Sequence, residues 1–98
     1  MNMMVLITYD VDFSEPKGAK RLRKVAKICE KYGVRVQNSV FEMIVDPAQL
    51  TQVKIAIKQA IDENLDPIRI YHLGSKWDNK IEKIGAEKGF SQDQPLIL

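Results

Sequence analysis

The alternation of apolar and polar positions divides this chain into a short series of elements. Residues 3–9 (Met-Met-Val-Leu-Ile-Thr-Tyr) are apolar and rich in β-formers, which predicts a buried strand at the centre of a sheet. Asp10 follows at its C-terminal end. Asp12, Ser14 and Pro16 give 11–16 the composition of a loop leading into a helix. Over 17–32 the period becomes helical: Leu22, Val25, Ala26 and Cys29 recur at i, i+3, i+4 and i+7 as one apolar face. Lys17, Lys20, Lys24, Lys27 and Lys31 form a basic stripe on another face, and Gly33 stands where a helix C-cap glycine belongs.

Residues 34–45 are β-prone but long for one strand, so they predict a kinked strand or two short ones around Gln37-Asn38-Ser39. Asp46-Pro47-Ala48-Gln49 supplies an N-cap, a proline at N1 and a glutamine at N3, a strong helix start. Leu50, Val53, Ile57 and Ile61 mark the buried face of this second helix, which the pattern carries to about Glu63 before Asp66-Pro67 breaks it. Residues 68–73 alternate as a strand ended by Gly74, 75–80 read as a polar loop, and 81–84 as a short strand. The segment 85–94 is polar and 95–98 apolar.

This βαββαβ order predicts an α+β, ferredoxin-like domain over 1–98, an antiparallel sheet with both helices on one face. The other face must meet solvent or a second subunit. An apolar tail with nothing to bury against would solve both problems by pairing with a partner's sheet, so about 85–98 are expected to pack on that partner.

Composition narrows the class. A domain of 98 residues buries a modest core and one cysteine forms no internal disulfide, which favours help from a metal or a partner subunit. Cys29 alone, with no signal-peptide pattern, leads to the expectation of a reducing cytoplasm, and no apolar run approaches the ~20 residues that span a membrane. The first forty residues carry eight bases against four acids, the rest seven against nine, so one half is basic and suited to a polyanion.

Little in the chain suggests catalysis by its own side chains. There is no Cys/His cluster for zinc, no phosphate-binding glycine motif and no nucleophile elbow. His72 reads as a structural or surface histidine in a strand, Cys29 as packing, and Trp77 as either a loop anchor or a base-stacking ring. Asp10 has two readings: a cap for the loop that follows, or a divalent-cation ligand. One carboxylate per chain makes a poor site. Two copies across a two-fold axis make a better one, so the metal reading requires a homodimer. The basic residues likewise read either as a solvated helix face or as phosphate contacts. Arg35, Gln37, Ser39 and Phe41 share a face if their strand is regular, whereas a kink would separate them.

Leu6-Ile7-Thr8-Tyr9-Asp10-Val11, the run Arg21-Leu22-Arg23-Lys24-Val25 and Arg35-Val36-Gln37-Asn38-Ser39-Val40-Phe41-Glu42, in this order, resemble the CRISPR-associated protein two family, the small subunit of the spacer-acquisition machinery. Ile68-Arg69-Ile70-Tyr71-His72-Leu73-Gly74 and the apolar C-terminus fit the same resemblance. It implies a symmetric homodimer with metal-dependent endonuclease activity on single-stranded RNA or double-stranded DNA. It implies that Asp10 binds Mg2+ (or another divalent cation), one copy from each subunit, and that Tyr9, Arg35 and Phe41 lie near the cleavage site. It also implies docking to a larger CRISPR integrase subunit, which the small subunit bridges on duplex DNA.

Two functions of different class follow. In one, Asp10, Tyr9, Arg35 and Phe41 form a magnesium-dependent phosphodiesterase, with Lys17, Lys20, Arg21, Arg23, Lys24 and Arg35 holding the nucleic acid. In the other, the dimer is a non-catalytic, basic adaptor that holds duplex DNA and bridges integrase subunits. A small-molecule-sensing regulator on the same fold lacks any glycine-rich effector loop.

Overall fold

The computed structural model describes residues 1–12 and 14–86. The elements run β1 (Met3–Tyr9), α1 (Gly18–Cys29), β2 (Gly33–Gln37), β3 (Val40–Val45), α2 (Pro47–Ala60) and β4 (Ile68–Gly74), closed by a 3-10 turn at Trp77–Lys80. The sheet order is β2-β3-β1-β4, with every neighbouring pair antiparallel. This is the ferredoxin-like βαββαβ arrangement expected from the pattern. Among the described residues, no helix is long and apolar enough to cross a membrane.

β1 is central because it is the most continuously apolar segment and must be paired on both edges. Val5, Ile7 and Tyr9 point under the helices and are essentially unexposed, joined by Phe41, Met43 and Val45 of β3. Leu22, Val25, Ala26 and Cys29 of α1 and Leu50, Val53 and Ile57 of α2 close the core. The periodicity therefore named the buried face of each helix. Among the described residues neither α1 nor α2 covers the opposite sheet face: Val34, Ile44 and Tyr71 are 42–49% exposed there. Met4 alone is covered on that side, where it lines a cleft with Trp77 and Ile81. Trp77 is thus a half-buried anchor of the turn after β4.

Residues 34–45 form two short strands, the second of the two expected arrangements, joined by a turn at Asn38-Ser39. Three other boundaries differ from the pattern. Gly33 is not a C-cap: α1 closes on Glu30 in right-handed geometry, and Gly33 opens β2. It is a glycine because β3 comes close, so that an added Cβ would overlap the Glu42 carbonyl and lie 2.6 Å from the Met43 Cα. α2 keeps its predicted start, with Asp46 accepting from the Gln49 amide and Gln49 answering to the Asp46 amide. It stops at Ala60 rather than Glu63, because Ile61 turns to an extended conformation and leads the chain into the loop that carries Asp66. Residues 81–84 form no strand, since neither sheet edge receives them. The expected tail pairing falls mostly on 87–98, outside the described residues.

Candidate nucleic-acid and metal site at the end of the central strand

Three segments converge at the end of β1. The Tyr9 amide donates to the Ser39 carbonyl in the β2–β3 turn at 2.9 Å, and the Asp10 amide donates to the Pro67 carbonyl just before β4 at 3.1 Å. Asp10 is therefore held by backbone on either side while its carboxylate is exposed and makes no hydrogen bond or ion pair among the described residues. The loop-capping task is performed instead by Asp12, which accepts from the Ser14 amide at 2.9 Å and the Ser14 hydroxyl at 2.6 Å. Those two bonds hold the Asp12 carboxyl below the usual range.

Tyr9 turns inward. Its ring is 1% exposed, and its hydroxyl donates to Asp66 Oδ2 at 2.5 Å. Arg21 reaches the same carboxylate from α1, with Nε 2.5 Å from Oδ2 and a second guanidinium nitrogen 3.2 Å from Oδ1. Its remaining terminal nitrogen lies 2.7 Å from Glu15 Oε2. Burial disfavours the Asp66 charge, but the bonds from Arg21, Tyr9 and the Asp62 amide outweigh it and keep the carboxyl below its usual range. Burial, reinforced by the Asp66 carboxylate, pushes the Tyr9 phenol up to about 12.

This yields a titration test. In the unfolded chain a tyrosine ionises near pH ~10, so the stability from neutral Tyr9 is complete below that and lost as pH rises through about 12. An alkaline absorbance titration should show one phenolate forming near pH 12, absent from Tyr9→Phe. A titration of the folded protein complete well below that value would contradict the buried Tyr9–Asp66 bond.

Arg35 and Phe41 are also brought together, across the hairpin rather than along one strand: they are register partners, and the guanidinium lies 5.7 Å from the ring centroid. Arg35 Nε donates to the Asn38 carbonyl at 2.8 Å, so this arginine clasps the turn whose next residue, Ser39, holds Tyr9. Phe41 is fully buried. A ring enclosed in this way offers no face to a nucleobase, and its part at the site is to support Arg35 and the hairpin. Gln37 is exposed and lies beyond a register shift, so the shared face of four residues does not form.

Of the expected phosphate contacts, Lys17, Lys20, Arg23 and Lys24 are exposed along α1. Arg21 differs, because its side chain is 12% exposed and its guanidinium is occupied by Asp66 and Glu15. Lys24, Lys27 and Lys31 rim a groove of about 790 Å³ against α2. Cys29 is buried, which pushes its thiol up to about 12 and fits the packing role expected of it. His72 is exposed on β4, at the register of Val5 and roughly 16 Å along the strands from Asp10.

A family model described as CRISPR associated protein Cas2 matches residues 3–81. The chain belongs to this family. The CRISPR-associated endonuclease Cas2 of Halalkalibacterium halodurans is 56% identical over 98% of this chain and 100% of its own length. The CRISPR-associated endoribonuclease Cas2 of Nitratidesulfovibrio vulgaris is 49% identical over 98% of this chain and 94% of its own. The crystal structure of Streptococcus pyogenes Cas2 superposes with a TM-score of 0.77 at 54% identity, covering 85% of this chain and all of that one. These names place the chain among the CRISPR nucleases. What the sequence missed in this Cas2 chain is Asp66. It was legible only as half of a helix-breaking Asp-Pro pair, and no local pattern connects it to Tyr9, 57 residues away.

Proposed function

We propose that this Cas2 chain acts as a homodimeric, magnesium-dependent phosphodiesterase on single-stranded RNA or duplex DNA, with Asp10 of each copy as the metal ligand. The observation that carries this reading is the Asp10 carboxylate: exposed, unpartnered among the described residues, and held on a rigid strand end by backbone on both sides. The donor set suits half a site. No group of three or more His, Cys, Asp or Glu residues is poised to hold a metal among the described residues, so one chain contributes one hard oxygen donor and a second copy must contribute the other. A cation held there supplies phosphate polarisation and acidification of a water. Lys17, Lys20, Arg23 and Lys24 attract and orient the phosphate backbone, Arg35 keeps the β2–β3 turn seated under Tyr9, and the sheet face that α1 and α2 leave uncovered is the surface offered to the second copy. Incubating the pure protein with labelled single-stranded RNA and duplex DNA, with and without magnesium, beside Asp10→Ala tests the reading. Metal-dependent cutting lost in the variant supports it, and equal cutting by the variant rejects it.

The exposed bases of α1 favour a second role, in which the dimer holds duplex DNA and bridges copies of a larger CRISPR integrase subunit during spacer acquisition. Binding to the phosphate backbone releases counterions, so removing one base that neutralises a phosphate should flatten the log–log salt dependence of duplex binding by about 0.9. Replacing Lys17, Lys20, Arg23 and Lys24 with glutamine should weaken binding and reduce that slope, and should stop acquisition where Asp10→Ala does not. An unchanged slope would remove these residues from the interface. Deleting Leu96 to Leu98 tests the tail as a dimer element in the same assay.

A further inference from the structure

We infer that Asp66 is a positioning residue for Asp10, building on the reading of Asp10 as a metal ligand. The two residues are 56 positions apart, yet Asp66 reaches the strand end by two routes. Through its side chain it accepts the Tyr9 hydroxyl at 2.5 Å, fixing the residue immediately before Asp10. Through the backbone it leads directly into Pro67, whose carbonyl receives the Asp10 amide at 3.1 Å. The carboxylate is itself immobilised from two further directions, by the Arg21 guanidinium at 2.5 and 3.2 Å and by the Asp62 amide at 3.2 Å. Arg21 in turn is held by Glu15 in the loop that follows Asp10. Asp66 is thus the point where β1, the start of β4, α1 and the loop after α2 are tied together.

Asp66 is the only polar or charged residue that is buried among the described residues, at 3% exposure. Burying a carboxylate is costly unless every lone pair is used. Here both oxygens are used, and one of the groups that use them, the Tyr9 hydroxyl, belongs to the residue adjoining the proposed ligand. An apolar side chain there would leave the Tyr9 hydroxyl and two Arg21 nitrogens without their acceptor. A charged group at this position makes sense as a constraint on direction. Two Asp10 carboxylates that must meet one ion across a two-fold axis tolerate little displacement, and a misplacement of about 1 Å can cost ~100-fold in rate.

The test uses the full chain with Asp66→Asn, Tyr9→Phe and Asp10→Ala, and two readouts. The first is hydrogen exchange of the Asp10 amide in the metal-free protein, with the β1–β3 ladder amides as internal reference. The second is the magnesium concentration for half-maximal cleavage. Asp66→Asn should speed Asp10 exchange by roughly 10-fold with the ladder unchanged, and raise the magnesium half-point by roughly 10- to 100-fold, the usual effect of losing an outer support of a ligand. Tyr9→Phe keeps the Asp66–Arg21 pair and should move both readouts the same way by less, so it carries the test if Asp66→Asn does not fold.

Acceleration spread evenly over the ladder would reduce Asp66 to a general stabiliser, and an unmoved Asp10 amide would overturn the inference outright. Asp10 exchange needs neither metal nor substrate. Full cleavage by Asp10→Ala would therefore sink the ligand reading, while the exchange result would still decide whether Asp66 positions this strand end. Loss of cleavage in Asp10→Ala with an unmoved magnesium half-point in Asp66→Asn would reject the positioning alone.

Discussion

Asp10→Ala is expected to lower magnesium-dependent cleavage by about 100-fold or more while leaving the melting temperature within about 4 °C of the parent. The two halves of this expectation come from different features of one residue. In the proposed dimeric site the variant would lose both carboxylates at once, because symmetry puts the same change in each copy, and an ion held by two protein oxygens would be left with none. Its phosphate polarisation and water activation, worth several kcal/mol of barrier, then depend on water and substrate oxygens alone. The fold is spared because the Asp10 side chain is exposed and unpartnered among the described residues, while the two bonds that hold it in place are made by backbone, which alanine keeps. Exposed substitutions of this kind usually change stability by less than about 0.5 kcal/mol. Cleavage assays paired with thermal melts and a dimer measurement decide the matter. A large fall in melting temperature would mean that lost activity reports lost structure, and unchanged cleavage would remove Asp10 from the chemistry.

Phe41→Ala is expected to cost about 3–5 kcal/mol of folding free energy, whereas Phe41→Leu should cost only about 1–2 kcal/mol and keep most of the cleavage. Phe41 is among the largest fully buried side chains and joins the core from β3, opposite Ile7 of β1. Alanine there leaves a cavity, and a domain of this size has a total stability of only about 5–15 kcal/mol. Leucine fills most of the space but gives up the ring beneath Arg35, whose interaction is worth about 0.5–1 kcal/mol at a partly exposed site. Urea unfolding, with midpoint and slope fitted separately, measures the first quantity, and cleavage by the folded fraction measures the second. If Phe41→Leu were folded yet as inactive as Asp10→Ala, the ring would act on substrate directly and its enclosure in the core would not describe the working state.

Burial sets apart residues that the resemblance groups near a cleavage site. Tyr9 ends β1 and Phe41 lies on β3, and both rings are buried in the core. Arg21 belongs to the basic run on α1, yet its guanidinium is committed to Asp66 and Glu15. Helical period alone cannot separate such an arginine from Arg23 or Lys24, because all three are bases on one helix and only the partner distinguishes them.

The element order, the central place of β1, the buried stripes of both helices and the capped start of α2 were determined by the chain itself, because each follows from spacing within about fifteen residues: a period of two or 3.6, or a cap and its proline. The place of Asp10 after a strand was equally local, whereas its freedom from a capping bond among the described residues was not. What required the folded molecule was every relation that crosses the sheet. Gly33 is a glycine because β3 passes against it, not because a helix ends there. Arg35 and Phe41 meet because a turn at Asn38-Ser39 folds two strands into register. Asp66, which no local pattern singles out, takes its importance from Tyr9 and Arg21, 57 and 45 residues away. A buried charge becomes tolerable only when distant donors surround it, and that condition is set by tertiary packing rather than by any periodicity in the sequence.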